Sequence, residues 1–377
     1  MEKCEVSRYC GGCQCQGISY DKQLAMKQQK LEKLLSSFGK VMPIIGMEDP
    51  LHYRNKVQVT FGKDEHGNIV MGNYVTSTHT IVPVKDCLIC DQKANEIIDS
   101  IYRTIKRLRI SVFDERAMKG CMRHILVRCT SNGEYMVVLV TGSSVISRKN
   151  ELMNDIIRFN PEVKTIVQNI NNRRSSMVLG NRNITLYGKG CIIDELCGKS
   201  FRISASSFYQ VNKRQTEVLY GLAIKAAKFK GNEIIIDAYC GTGTIGIVAS
   251  DHVKKVIGVE SNESAIKDAI SNARYNDVKN IEFVLDDAGR FMEKTAKEKA
   301  HIDALIMDPP RSGADRKFMD SIFRLAPERI VYVSCNPITL KDNLSYLSRM
   351  YRVASIQPVD MFPFTDHVEC VTSLSKI

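Results

Sequence analysis

The feature that most constrains the fold is an alternation of short apolar runs with amphipathic helical patterns, from residue 233 to the end of the chain. Parallel strands need a crossover connection, usually a helix, so this alternation predicts a mostly parallel sheet with covering helices, a doubly wound α/β domain. Helices are predicted over Ser264–Asn276 and Arg316–Leu325, because apolar residues recur there at helical spacing. The predicted strands are Glu233–Ala238, Val256–Glu260, Ile281–Leu285, Ala304–Met307, Arg329–Ser334, Tyr351–Gln357 and Val368–Leu374.

The first 200 residues have a different pattern. A helix is predicted over Asp21–Phe38, and strands over Lys56–Phe61 and Glu134–Val140. Residues 101–200 contain 17 Lys or Arg and 8 Asp or Glu, in a chain of formal net charge +11. Such a basic surface suits a polyanion, and a solvated face without a partner is the alternative. We therefore predict a cysteine-rich region over 1–92, a basic β-rich region over 93–200 and the α/β domain over 201–377.

Composition limits the class of protein. With 44% hydrophobic and 25% charged residues, the chain does not resemble disordered, collagen-like or coiled-coil proteins. No apolar run approaches the roughly 18 residues of a membrane helix, and the start of the chain has no apolar signal segment. We expect a cytoplasmic protein with no membrane association and no obligate protein partner. Its 13 cysteines should then stay reduced, which favours metal binding or catalysis over disulfides.

A glycine-rich turn follows the first strand of the α/β domain. The chain passes from this strand through Gly241 and Gly243 into a helix, and glycines in such a turn let a ligand approach the backbone. The next strand ends at Glu260, whose carboxylate can accept both hydroxyls of a ribose. The combination predicts a nucleoside-binding crevice, and a tight strand-to-helix turn is the alternative.

Two later strands bring reactive groups to the same edge of the sheet. The fourth strand ends at Asp308, before a Pro-Pro-Arg sequence, and the fifth ends next to Cys335. Cys335 is therefore a candidate nucleophile, with a buried structural cysteine as the alternative. Glu369 follows His367 where the chain re-enters the sheet, and it is a candidate general base. A turn and a surface charge would also explain these last two residues.

Cysteines cluster near the amino terminus. The pattern Cys4-x5-Cys10-Gly-Gly-Cys13 is followed by Cys15, and later by the pair Cys87 and Cys90. Two Cys-x2-Cys pairs would suit a four-cysteine zinc site, whereas three clustered thiolates with a distant fourth suit an iron–sulfur cube. Spacing alone leaves both kinds of site open.

Four motifs, taken together, resemble the RNA uracil-5-methyltransferase family. They are Ser-Cys335-Asn-Pro, Asp308-Pro-Pro-Arg-x-Gly, the segment from Asp360 to Glu369, and Phe208-Tyr-Gln210-Val-Asn. The turn at residues 237–243 is similar to the S-adenosylmethionine loop of class I methyltransferases. The resemblance implies a class I, Rossmann-like S-adenosylmethionine methyltransferase domain, preceded by an iron–sulfur and β-rich region. The cofactor-binding residues it implies are Gln210, Tyr239, Gly241, Thr244, Glu260, Asp287 and Asp308.

The same resemblance implies a route to methylation at C5 of a uridine. Cys335 would add to C6 of the base, and the enolate formed at C5 would take the methyl group of S-adenosylmethionine. Glu369 would then remove the C5 proton, and elimination of Cys335 would restore the ring. A stacked uridine must be flipped out to react. The substrate-binding residues implied are Phe208, Asp308, Arg54 and Lys56. The last two lie in the segment Tyr53-Arg54-Asn55-Lys56, which also resembles a family segment, and a solvated β-edge is the alternative for it.

Members of the family that act on ribosomal RNA hold a 4Fe-4S cluster with similar cysteines. The resemblance implies that Cys4, Cys10, Cys13 and Cys87 are its ligands, with Cys90 as the rival fourth ligand. Many of these members also have a small amino-terminal β-barrel, whereas this sequence begins at the cysteines. The expected acceptor is 23S ribosomal RNA, with the transfer RNA T-loop second. A non-catalytic iron–sulfur RNA-binding protein is the alternative from another class.

Overall fold

The computed structural model describes residues 4–76, 78–174 and 177–377. The helices in these ranges are α1 Tyr20–Leu35, α2 Gln92–Arg107, α3 Lys149–Phe159, α4 Lys213–Ala227, α5 Thr244–Ala249, α6 Glu263–Tyr275, α7 Ala288–Lys297, α8 Arg316–Leu325 and α9 Pro337–Leu347. The strands are β1 Lys56–Lys63, β2 Ile69–Tyr74, β3 Ile81–Pro83, β4 Met122–Cys129, β5 Tyr135–Thr141, β6 Val163–Ile170, β7 Arg182–Tyr187, β8 Cys191–Leu196, β9 Lys199–Ser204, β10 Ile234–Ala238, β11 Lys255–Glu260, β12 Ile281–Leu285, β13 Ala304–Met307, β14 Arg329–Ser334, β15 Tyr351–Val359 and β16 Glu369–Lys376.

The chain forms two compact units that differ from the predicted regions. Unit 1 contains the residues up to Gly17, Pro50–Asp194 and Arg202–Ser206, and unit 2 contains Ile18–Asp49, Glu195–Phe201 and Ser207–Ile377. The structure does not separate regions 1–92 and 93–200, because β1 pairs with β4 in one sheet. Nor does α1 remain with the amino-terminal region, since it belongs to unit 2. Both differences arise from contacts between distant parts of the sequence.

Unit 2 contains a sheet of seven strands among its described residues, in the order β12-β11-β10-β13-β14-β16-β15. Strands β10 to β14 are parallel, and β16 lies antiparallel between β14 and β15. The strand order changes direction beside β10, and ligands bind at such a switch point in doubly wound sheets. The predicted Rossmann-like fold is confirmed. Predicted and observed strand ends in this sheet agree to within two residues.

Helices cover this sheet in two layers. Contacts join α4, α5 and α6 in one layer, and α7, α8, α9 and α1 in the other. The second layer shares a buried core with the sheet, to which α1 contributes Leu31 and Leu35. Burying one such leucine stabilises a fold by about 1.5–3 kcal/mol. The α1 helix is therefore an integral part of unit 2.

Unit 1 is rich in β-structure, and its strands pair in the order β3-β2-β1-β4-β5-β6-β7 over the described residues. All neighbouring strands are antiparallel except β5 and β6, which α3 connects in the chain as a crossover helix. The apolar face of α2, including Ile97, Ile101 and Ile105, is fully buried. Across the residues that the structure describes, no helix combines the length and the apolar character needed to cross a bilayer.

Candidate active site

The carboxyl edge of the unit 2 sheet brings together residues from five strands. Ala238 pairs with Val259 of β11 and Met307 of β13, so the next residue, Tyr239, follows β10 between Glu260 and Asp308. On the other side, Ser334 pairs with Cys370 of the antiparallel β16. Continuing that register by one residue brings Cys335 opposite Glu369. Neighbouring strands are about 4.8 Å apart, so these residues form one row, hereafter the catalytic edge.

The turn after β10 is shaped by backbone in the left-handed region. Tyr239, Gly241 and Gly243 have φ angles of 64°, 55° and 78°, which glycine adopts at little cost. A Cβ atom on Gly243 would lie 2.8 Å from the ring of Phe283, whereas one on Gly241 would meet no atom within 4 Å. The backbone at Gly241 therefore borders open space, as a ligand-binding turn requires.

Glu260 lies where the sequence predicts a ribose-binding carboxylate. The Gly241 amide donates to its Oε2 atom at 3.2 Å, and the Asn262 amide donates to its Oε1 atom at 2.8 Å. These bonds fix the carboxylate against the glycine turn. The glycine turn and Glu260, which the sequence predicts to form one crevice, are therefore in direct contact.

Asp237 is a buried carboxylate next to the crevice, and sequence reasoning did not single it out. Its Oδ2 atom accepts from the Gly246 amide at 2.8 Å, while its Oδ1 atom has no hydrogen-bond partner among the described residues. Burial raises the pKa of Asp237 to about 7, and the charges of Asp308 and Glu260 add to the shift. Such a concentration of carboxylates favours a ligand with positive charge, as the sulfonium of S-adenosylmethionine carries.

The other predicted cofactor residues lie at or near the starts of helices in unit 2. Thr244 begins α5, and its hydroxyl lies 2.9 Å from that of Tyr220. Asp287 is exposed and caps α7, accepting from the Arg290 amide at 3.0 Å. Gln210 is half-buried in the segment before α4. Cofactor contacts at these three positions remain predictions.

The segment that contains Phe208 is attached to the cofactor turn. Thr242 donates from its hydroxyl to the Phe208 carbonyl at 3.3 Å, and Ser207 donates to the Asp268 carboxylate at 2.6 Å. The Phe208 side chain is nevertheless 67% exposed. An aromatic ring held by its backbone but left open to solvent is available to contact a base.

Cys335, Asp308 and Glu369 influence one another electrostatically. Burial raises the pKa of the Cys335 thiol to about 11, and the charges of Glu369 and Asp308 add to this shift. Burial also raises the pKa of Asp308 and of Glu369, and Asp308 contributes to the shift at Glu369. Arg311 acts in the opposite direction on Cys335 and Glu369. Such perturbed groups, brought together at one edge of a sheet, are typical of catalytic sites.

Arg311 connects the turns that follow β13 and β14. Its guanidinium lies 2.9 Å from the ring nitrogens of His367, and its carbonyl accepts from the Asn336 amide group at 2.9 Å. Asn336 also caps α9, which begins at Pro337. These bonds hold the Cys335 turn next to the 308–313 turn. The sequence shows Arg311 only as part of the Asp308-Pro-Pro-Arg motif, and its contact with His367 becomes visible only in three dimensions.

Arg54 and Lys56, predicted to bind substrate, belong to unit 1. Arg54 lies close enough to Cys13, Cys87 and Cys90 to lower the pKa of each thiol. At Cys13 and Cys90 other effects are stronger, so the pKa of these two thiols is raised overall. Burial lowers the pKa of Lys56 to about 8, and the charges of Arg128 and Arg54 add to the shift. A role of either residue in binding RNA remains a prediction.

The amino-terminal cysteines approach the Cys87–Cys90 turn within unit 1. Burial raises the pKa of Cys4 and of Cys13, and for both thiols the charges of Cys87 and Cys10 add to the shift. In the described part of the chain, no three His, Cys, Asp or Glu side chains are grouped closely enough to hold a metal ion. A 4Fe-4S cube separates its cysteine sulfurs more widely than a single ion does, because each sulfur binds a different iron.

With the fold and edge established, comparison with known proteins identifies the family. Residues 19–377 match the family described as tRNA (Uracil-5-)-methyltransferase. The chain belongs to this family. An RNA methyltransferase described as uncharacterized, from Clostridium tetani, is 41% identical over 98% of this chain and 81% of its own length. One from Bacillus cereus is 40% identical over 100% of this chain and 83% of its own length.

A solved structure of the uracil-5-methyltransferase family has the same architecture. Pyrococcus abyssi tRNA (uracil-54, C5)-methyltransferase in complex with S-adenosyl-L-homocysteine matches with a TM-score of 0.81 and 28% identity, over 97% of this chain and 86% of its own. The bound product of S-adenosylmethionine supports that compound as the methyl donor here. The protein is thus an S-adenosylmethionine-dependent RNA methyltransferase, which confirms the predicted family and enzyme class.

Sequence reasoning missed a second group of polar residues in unit 2. Gln23 and Lys27 lie on the buried face of α1, which continues with Leu31 and Leu35. The available signal was the four-residue spacing of these positions, which places two polar side chains on an otherwise apolar helix face. Buried polar groups on such a face need specific partners.

Proposed function

We propose that this enzyme transfers a methyl group from S-adenosylmethionine to C5 of a uridine in 23S ribosomal RNA through a covalent bond between Cys335 and C6. The observation that carries the chemistry is the register of β14 and β16, which pairs Ser334 with Cys370 and, continued by one residue, brings Cys335 opposite Glu369. A nucleophile and a base next to each other suit a reaction that begins with addition at C6 and ends with loss of a proton from C5.

The first step activates a carbon that is otherwise a poor nucleophile. The Cys335 thiolate forms a bond to C6, and the electrons of the C5–C6 double bond move into an enolate that makes C5 nucleophilic. Because the Cys335 thiol is mostly protonated at neutral pH, the charge of Arg311 favours the small thiolate fraction that reacts. S-adenosylmethionine, when bound at the Gly241 turn, would supply the methyl group that C5 attacks, with the bond from that carbon to the sulfonium sulfur breaking and S-adenosylhomocysteine as the leaving group.

The second step returns the ring to its aromatic form. Glu369 removes the proton from C5, the electrons of that C–H bond rebuild the C5–C6 double bond, and the bond from C6 to Cys335 breaks. Glu369 is 5% exposed, and burial raises its pKa, so the carboxylate is a stronger base than one in water. Asp308, between the cofactor turn and Cys335, is suited to hold the polar edge of the uracil.

The ribosomal acceptor is supported by the cysteine pattern and by the excess of basic residues in region 93–200. The transfer RNA alternative is supported by the Pyrococcus abyssi structure, whose protein modifies a transfer RNA. Within unit 1, a phosphate beside Lys56 would raise the pKa that burial lowers to about 8, since a nearby anion favours the charged form of a lysine. Reduced cysteines and an RNA acceptor fit the cytoplasm as the place of reaction.

The acceptor can be identified by one assay. Anaerobically purified protein is incubated with labelled S-adenosylmethionine and, separately, with unmodified 23S ribosomal RNA and transfer RNA, and each product is digested to nucleosides. We expect label in 5-methyluridine from the ribosomal RNA. Label only in transfer RNA would overturn the acceptor and keep the chemistry, whereas label in another nucleoside would overturn the chemistry.

We further propose that Cys4, Cys10, Cys13 and Cys87 hold a 4Fe-4S cluster with a structural role. The mutual effects of these thiols on their pKa values support the grouping. Cys87 acts on both Cys4 and Cys13, and Cys13 and Cys87 act in turn on Cys90, so Cys87 and Cys90 both adjoin the proposed site. Arg54 fits such a site because its positive charge would balance the thiolates. The cluster would tie the amino terminus to unit 1, since the methylation itself needs no electron.

Removing single cysteines tests this ligand set. We expect Cys87→Ala to lose most of the roughly four irons that a cube contains, measured as iron and acid-labile sulfide per chain after anaerobic purification. Cys90→Ala and Cys15→Ala, which replace buried cysteines, should retain them. Iron loss in Cys90→Ala but not in Cys87→Ala would make Cys90 the fourth ligand. Equal, low iron in all of the proteins would rule out the cluster.

A further inference from the structure

The segment between β15 and β16 has a conformation that needs external support. It covers residues 360–368, contains His367 and leads directly into Glu369. Phe364 within it has a φ angle of 65°, a left-handed conformation that is strained for a bulky residue. Its side chain is only 2% exposed. Contacts around the segment must therefore hold it in place.

Those contacts come from one face of α1. Tyr20, Gln23 and Lys27 are spaced by three and four residues, so they lie on the same side of the helix. The Phe364 amide donates to Oε1 of Gln23 at 2.9 Å, which fixes the strained residue directly. The Gln23 side chain is in turn held by its bond to the Ile18 carbonyl at 2.8 Å.

The centre of this contact is a buried ion pair. Nζ of Lys27 lies 2.7 Å from Oδ1 of Asp360 and also donates to the Phe362 carbonyl at 3.2 Å. The Tyr20 hydroxyl donates to Oδ2 of the same carboxylate at 2.9 Å. The Lys27 and Asp360 side chains are 4% and 0% exposed. A buried pair of this kind contributes little net stability but selects one geometry, because breaking it leaves an unpaired charge inside the protein.

The ion pair is linked to the catalytic edge by the chain on both sides of the segment. Asp360 follows Val359, which pairs with Glu369 across β15 and β16. Beyond Phe362, whose carbonyl Lys27 binds, the Phe362 ring contacts the His367 ring edge-on at 6.2 Å. His367 is the residue that contacts Arg311. Glu369 and Arg311, the two groups next to Cys335, are thus both connected to the 360–368 segment that α1 supports.

We propose that Lys27 is a positioning residue, which acts through Asp360 and the 360–368 segment to hold Glu369 where it can remove the C5 proton. The inference rests on the proposed function, since it assigns Lys27 to the second step of that reaction. A misplacement of about 1 Å can slow a chemical step by about 100-fold. Loss of the ion pair should therefore slow product release from Cys335 more than it slows formation of the covalent bond.

The two steps can be measured separately with RNA that contains 5-fluorouridine. Fluorine cannot leave C5 as a cation, so the methylated base stays bound to Cys335 and the adduct reports only the steps before proton removal. With ordinary uridine, the rate of 5-methyluridine release reports the whole reaction. The ratio of the two rates in single turnovers isolates the step that Glu369 performs.

The main variant is the double substitution Lys27→Met and Asp360→Asn, which removes both charges and so leaves no unpaired charge in the core. We expect adduct formation within about threefold of the unmodified enzyme and release slower by about 10- to 100-fold. The single variant Lys27→Met should show the same change in ratio with a lower unfolding temperature. An unchanged ratio in the folded double variant would show that the pair is only structural.

Arg329→Met is the matched control. Arg329 and Glu233 form another ion pair in unit 2, at 2.8 Å and with side chains 16% and 3% exposed, where β14 and β10 begin at the opposite end of the sheet. This variant should lose stability while its ratio of the two rates stays unchanged. A changed ratio here would mean that the ratio follows stability, which would overturn the assignment of Lys27. If the unmodified enzyme forms neither adduct nor 5-methyluridine, the proposed function itself is wrong.

Discussion

Replacing Cys335 with alanine is expected to reduce methylation of RNA by roughly 10⁴- to 10⁶-fold, the range seen when a group of a covalent catalytic centre is removed. Without the thiolate, C6 is not attacked and C5 stays too weak a nucleophile to take a methyl group. RNA binding should persist, because the substitution removes the thiol of a single half-buried side chain. The measurement is single-turnover transfer of labelled methyl groups, together with RNA affinity.

Cys191→Ala provides the control for this loss. Cys191 is also partly buried, but it lies at the start of β8 and has no place on the catalytic edge. Its variant should methylate RNA at the normal rate. If Cys335→Ala retains substantial activity while Cys191→Ala behaves as expected, methylation does not proceed through the proposed covalent bond.

Glu369→Gln is expected to form the covalent RNA adduct but to release product slower by about 10²- to 10⁴-fold, the usual contribution of a general base. The amide keeps the size of the side chain and loses the ability to accept a proton. The methylated intermediate should therefore accumulate, visible as a protein band of lower mobility that resists denaturation and disappears in the Cys335→Ala, Glu369→Gln double variant. Glu328→Gln, an exposed position just before β14, should show normal release.

Two other outcomes for Glu369→Gln would contradict its role as the base that removes the C5 proton. If Glu369→Gln binds RNA but forms no adduct with ordinary uridine or with 5-fluorouridine, Glu369 acts before methyl transfer. If release is normal, another group removes the C5 proton. Either result would separate the role of Glu369 from that of Cys335.

The assignment of Glu369 as the base also predicts how the release rate depends on pH. Glu369 accepts a proton only when it is ionised, and burial raises its pKa, so the ionised fraction increases as pH rises through and above neutrality. The thiolate fraction of Cys335 increases in the same direction, because its pKa lies near 11. The release rate should therefore rise between about pH 6 and pH 9. Release from an adduct that has already formed isolates Glu369, because Cys335 is then bonded to C6, and a glutamate with an ordinary pKa of about 4.3 would give a flat profile for that step.

The local pattern of the sequence was sufficient to predict much of the fold. Parallel strands such as Ala304–Met307 are nearly continuous apolar runs bounded by loops, and buried strands of this kind need no long-range information to be recognised. The placement of Cys335 and Asp308 at one edge follows from that alternation alone. The pairing of Cys335 with Glu369 is different, since it depends on β16 entering the sheet antiparallel next to β14.

Other features could not be read from local pattern, for physical reasons. The helix α1 has the amphipathic spacing of any surface helix, and nothing in residues 20–35 indicates that its partners are at the far end of the chain. The grouping of Cys4 and Cys13 with Cys87 depends on how β2 and the amino terminus approach each other, as in the contact between Cys10 and Val75. Contacts of this kind depend on tertiary packing, which propensity does not encode.

The pairing of Lys27 with Asp360 also has a consequence for the synthesis of the protein. These residues are 333 positions apart, and most of unit 1 is translated between them. At about 5–20 residues per second, α1 emerges from the ribosome long before the strands that complete its core exist. The apolar face of α1, with Leu31 and Leu35, therefore has no packing partners from the sheet until nearly the whole chain has been translated. The nascent chain cannot assemble its catalytic edge until the last strand is made, so an interrupted translation product would contain the cysteine-rich unit without a working methyltransferase.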